Sequence, residues 1–70
     1  MQFVIIKCSQ TRGVIIDGRL GGYTNRILRV NWGMHTFQLD GPPDYAPAAQ
    51  TFNVQNTTLI CPLEVTFDNH

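Results

Sequence analysis

His35, Cys8 and Cys61 are the side chains in this 70-residue sequence best suited to act as a base and its nucleophile. A working Cys–His pair needs one thiol beside the imidazole, and no local pattern brings them together. The two cysteines stand 53 positions apart, which excludes the closely spaced pairs of a zinc ribbon or a thioredoxin-like redox centre. A disulfide would need an oxidising compartment and Cα atoms within ~4.4 to 6.8 Å, so two reduced thiols in the core are expected instead. The one serine, Ser9, lies in no nucleophile elbow. Asp40 and Asp44 flank a Gly-Pro-Pro run and could serve as paired carboxylates or hold a cation with loop carbonyls; solvated turn formers are the simpler expectation. Gly21-Gly22 could cradle a phosphate, but no helix follows and no lysine stands at P-loop spacing. Asn56-Thr57-Thr58 has the form of a glycosylation acceptor, which matters only on an exported chain. These residues predict no catalytic group, no metal and no cofactor.

The elements that must position them are strands. No stretch of 11 residues repeats apolar positions at helical spacing, whereas Phe3 to Cys8, Gly13 to Asp17, Arg26 to Val30, His35 to Leu39, Thr51 to Val54 and Thr57 to Phe67 are rich in Val, Ile, Thr and Phe. Six or seven short strands at this spacing predict an all-β fold, a small antiparallel β-sandwich, with residues 1–70 as a single domain. Alternation puts His35, Phe37 and Leu39 inward, and likewise Phe52 with Val54 and Leu63 with Val65 and Phe67. His35 is then a buried imidazole bonded to backbone rather than a ligand or base. In the first strand Val4, Ile6 and Cys8 form one apolar row while Phe3 and Ile5 form most of another. That strand is either central or covered by a partner. Asp17-Gly18 is the residue pair of a tight hairpin, with Gly18 at positive φ. Gly41 to Pro47 is a stiff connecting loop, and Pro62 belongs on an edge or at a bulge.

Composition narrows the partners. With 43% apolar and 14% charged residues and no apolar run near the ~18 to 20 needed to span a bilayer, neither disorder nor membrane insertion is expected. Five basic and five acidic residues cancel, so the surface of a dedicated nucleic-acid binder is missing. Residues 1–33 nevertheless carry five cations against Asp17, a net +4, and residues 34–70 carry four acids and no Lys or Arg, a net −4. Either the halves lie apart and make a dipole that stacks copies, or they interleave as cross-strand pairs. Phe3, Ile5, Ile15, Ile27, Trp32 and Met34 fall off the inward rows, which points to association. Trp32 and Tyr23 among Arg19, Arg26 and Arg29 could alternatively form a platform for single-stranded nucleic acid.

The segment 13–67 resembles a PEGA domain, a small β-sandwich module of bacterial and archaeal proteins. Val14-Ile15-Ile16-Asp17-Gly18 is similar to the family's opening strand and turn, Gly22-Tyr23-Thr24 to its Gly-x-Thr, Trp32 to Leu39 to its Gly-x-His strand, and Asp44-Tyr45-Ala46-Pro47 to its Gly-Tyr-x-Pro corner. Asn25 stands where the family has Pro, and Asp44 where it has Gly. The resemblance implies no catalytic residues and a structural, adhesive or carbohydrate-facing role, usually inside a longer envelope or signalling protein. As a whole chain without a signal segment it would be cytoplasmic; as an excised domain, an envelope or surface module. The expectation is a non-enzymatic module that associates with itself or another protein through Phe3, Ile5, Trp32, Tyr23 and Met34, with Asp17 and Gly18 as a structural turn. A carbohydrate-binding module and a small nucleic-acid-binding barrel are the alternatives.

Overall fold

A computed structural model describes residues 1–42 and 44–69. Its strands are β1 (Gln2–Lys7), β2 (Gly13–Ile16), β3 (Arg19–Tyr23), β4 (Ile27–Val30), β5 (Gly33–Leu39), β6 (Tyr45–Ala46), β7 (Gln50–Val54), β8 (Leu63–Thr66) and β9 (Asp68–Asn69), with no helix among the described residues. One sheet has the order β4-β1-β8 and the second β3-β2-β5-β7, while β6 and β9 form a small pair of their own. The fold is the expected all-β sandwich.

Period-2 alternation explains the layers. Val4, Ile6, Val30 and Val65 from the first sheet meet Val14, Phe37, Leu39 and Val54 from the second, and all eight are buried. Cys8 and Phe67 complete this core. Strand β1 is the centre of its sheet, which accounts for its two apolar rows. Val4 and Ile6 face the core, and Phe3 and Ile5 lie half-buried on the outer face, Ile5 opposite Ile27 of β4.

Several features depart from the sequence expectation. The pairing of β1 with β8 is parallel, Val4 opposite Leu63 and Lys7 opposite Thr66. A parallel pair needs a long crossover but not a helical one, and here the strands of the second sheet, together with β4, form the connection. The described residues form nine strands rather than six or seven. The expected strand Thr57 to Phe67 reduces to β8, and Arg19–Tyr23 pairs as β3 despite two glycines. Gly21 is the extra residue of a bulge: Val14 pairs with Gly22 and Ile15 with Leu20. A Cβ on Gly21 would sit 2.6 Å from the Ile16 side chain, so any larger residue at this bend must displace Ile16. Pro62 immediately precedes edge strand β8, as a residue without a donor should.

Polar clamps hold the segment that crosses between sheets. Thr24, buried, accepts from Arg12 N–H at 2.9 Å and donates to the Gln10 carbonyl. Asn25 accepts from Cys8 N–H and donates from its side-chain amide to the Cys8 carbonyl, while its own N–H donates to Ile6. Its φ of 63° and its donated N–H are both closed to proline, so the turn after Thr24 differs from one built on a Thr-Pro pair. At the same end Arg12 gathers the Gly41-Pro42 loop. Its guanidinium donates to the carbonyls of Asp40 and Pro42, pairs with Asp44 at 2.5 Å and lies 5.0 Å from the centre of the Tyr45 ring. Asp44 is therefore an ion-pair partner rather than a merely solvated turn former, while Asp40 accepts from Gly41 N–H as a turn residue does. The Tyr45 hydroxyl donates to the Leu39 carbonyl and accepts the Leu39 N–H, and its ring meets Phe67 edge-on. Lys7–Glu64 across β1 and β8 and Arg12–Asp44 each join the basic half of the chain to the acidic half. Both sheets mix strands from the two halves, so the charges interleave.

Candidate functional site

Register defines two ends of the sandwich. Gln2 lies opposite Val30, and only Asn31 and Trp32 separate β4 from β5, so the starts of β1 and β5 and the end of β4 share one end. Gly33 lies opposite Val54, which brings the end of β7 there too. Thr57 donates from its N–H and its hydroxyl to Gln2 Oε1 and accepts from Phe3 N–H, so the connection into β8 is tied to the same place. The opposite end holds Arg12, Asp40, Asp44 and Tyr45.

The β4–β5 end carries an open cleft of about 270 Å³, lined by Ile16, Gly21, Arg29, Val30, Asn31 and His35, with Met1 at its edge. His35 shares a face with Phe37 as alternation required, but it is a rim residue with 13% of its side chain exposed. Its Nδ1 lies 2.5 Å from Asp17 Oδ2, and its Nε2 lies 2.6 Å from the Asn31 carbonyl. Both partners are acceptors, so the imidazolium satisfies both at once. Burial opposes that charge but is outweighed by Asp17 and the Asn31 carbonyl together, and the His35 pKa is raised above 6.5. The Asp17 pKa is lowered below 3.8, first by the N–H of Thr36 donating to Oδ1 and then by His35. As the imidazolium, His35 donates from both nitrogens and has no lone pair to receive a proton from a thiol or hydroxyl. The Asp–His arrangement ties the Asp17-Gly18 turn, φ 52° and 85°, to the start of β5.

The cysteines are far from a pair. Parallel register aligns Cys8 with Phe67 and Cys61 with Gln2, roughly 20 Å apart at ~3.3 Å per residue, well beyond disulfide reach. Cys8 is buried, but Cys61 is exposed, which corrects the expectation of two core thiols: Cys61 precedes Pro62 in a turn outside β8. Among the described residues no three His, Cys, Asp or Glu side chains are grouped to share a metal ion.

The five interaction residues separate. Trp32 and Met34, 69% and 64% exposed, lie at the β4–β5 end, and Phe3, also towards that end, is on the outer face of the other sheet from Met34. Ile5 lies further along that face. Tyr23, opposite Gly13, is at the other end, so it shares no platform with Trp32. Leu59 and Ile60 were not legible as surface residues, because a run of apolar side chains before Pro62 reads as a continuing strand. Instead Thr58 and Cys61 close a tight turn, Thr58 N–H donating to the Cys61 carbonyl and Cys61 N–H to Thr58 Oγ1. Leu59 is left 60% and Ile60 91% exposed. The absence of alternation across Leu59-Ile60-Cys61 was the available signal. The chain matches no family model, no curated protein and no solved structure.

Proposed function

We propose that this domain is a non-enzymatic protein-interaction module that works by association, with a second copy of itself as the first partner. One observation carries the reading: the core is already filled from both sheets, yet eight large apolar side chains stay exposed among the described residues. Five of the eight lie towards the β4–β5 end, and exposed apolar surface concentrated in one region is characteristic of association sites. The chemistry of the cleft agrees, since His35 is committed to Asp17 and Asn31 and stands beside no activated nucleophile. Sedimentation across micromolar to millimolar protein, in low and high salt, tests it. A concentration-dependent assembly is expected, and a strict monomer would overturn self-association. A carbohydrate ligand is the second reading, favoured by the exposed ring of Trp32 next to cleft residue Asn31; binding on a glycan array that is lost in Trp32→Ala would establish it.

A further inference from the structure

We infer that the β4–β5 end is the self-association surface, and that Ile60 of each copy seats in the cleft of the other across a two-fold axis. The inference rests on the association reading above and names its face and geometry. Five of the eight exposed large apolar residues, Met1, Trp32, Met34, Leu59 and Ile60, are placed at this end by register, from three separate stretches of sequence. Ile60 stands at the tip of a turn closed by two hydrogen bonds, so its position is fixed without any cover of its own. The open cleft at the same end, about 270 Å³, is lined by Ile16, Gly21 and Val30 beside Arg29, Asn31 and His35, and its volume admits the four-carbon side chain of isoleucine.

Projection and recess on one end make that end complementary to itself. A two-fold pair then satisfies both sites at once and closes, whereas a projection and recess on opposite ends would build filaments. The area suffices. At 60% to 91% exposure, Trp32, Met34, Leu59 and Ile60 expose on the order of 600 Å² per copy, so a pair that covered all four would bury about 1,200 Å², the lower end of a specific interface. Trp32 and the rim residue Arg29 are of the types that anchor interfaces. Zero net charge leaves little mean repulsion between copies and little attraction to an anionic bilayer, for which the cleft would have no use.

Sedimentation of the whole chain against Ile60→Asp and Trp32→Ala tests this, with Ile27→Asp and Tyr23→Asp as exposed controls away from the end. Ile60 is so exposed that its replacement leaves the fold intact, which circular dichroism checks. The expected result is a dimer weakened roughly tenfold or more by either end variant and by neither control. A dimer that survives both end variants but dissolves in Ile27→Asp would overturn the inference and leave the association reading standing. A wild-type monomer would overturn both, and if it pelleted with phosphatidylserine vesicles through Ile60 it would assign the end to a lipid surface instead.

Discussion

Asp17 does three things from one turn position. It takes a positive φ, exchanges backbone hydrogen bonds with Thr36 through its N–H and its Oδ1, and holds His35 with Oδ2. The pair sets a pH window. Because the folded His35 pKa is raised, its contribution is complete below 6.5 and is lost as pH rises through the raised value; because that of Asp17 is lowered, its contribution is complete above 3.8 and is lost as pH falls through the lowered value. Urea midpoints measured from pH 3 to 9 should therefore fall off on both sides of the interval between 3.8 and 6.5, and Asp17→Asn should flatten both limbs. An unchanged profile in that variant would show that other groups set it. Gly18 provides a cleaner test of backbone cost, since a Cβ there would touch nothing within 4 Å. Gly18→Val should destabilise by about 1 to 2 kcal/mol through its φ of 85° alone, and Gly18→Asn by a few tenths, read as thermal midpoints. The turn was legible in the sequence because Asp-Gly encodes it locally. The ion pair was not, because it exists only once β2 lies beside β5.

At the scale of elements, alternation located the strands that have one wet face, so β5, β7 and β8 agree with the pattern of their residues. Strand β3 was obscured by Gly21-Gly22, whose value lies in the bulge and in close approach to Leu28, neither of which propensity expresses. Arg12 was equally hidden: its partners lie 28 to 32 positions away, and no short motif announces a guanidinium that organises a loop. The planar fork reaches two carbonyls and a carboxylate while stacking on Tyr45, a geometry the lysine ammonium cannot reproduce. Arg12→Lys should therefore cost about 1 to 3 kcal/mol in chemical unfolding, although the charge is kept. Exchange of the Leu39 amide, held by the Tyr45 hydroxyl, should quicken with it. Loss no greater than that of an exposed arginine, such as Arg26→Lys, would assign the loop's order to its prolines instead.

For the whole molecule, two sheets over one core were readable from composition and spacing, but the pairing order was not. Antiparallel neighbours follow from hairpins, whereas β1 and β8 meet because both present apolar rows that only the finished core can cover. The same limit hid the apolar end, which is assembled from segments that no local window contains. A chain cut after Thr58 loses Val65 and Phe67 from the core together with one flank of β1. It should lack cooperative thermal unfolding and bind the dye ANS, while a truncation that melts sharply would show that the second sheet folds alone.

The parallel pairing also orders events in time. Strand β1 leaves the ribosome some 59 positions ahead of its neighbour β8, so the central strand of the first sheet waits with an open edge and two apolar faces until β8 has been made. Long-range pairing of this kind places the domain among the slower small folders, on the order of milliseconds to seconds. During that interval a nascent β1 is a template for the β1 of a neighbouring ribosome's product. The strand that makes the mature sandwich coherent is thus the segment most exposed to mispairing before the sandwich exists.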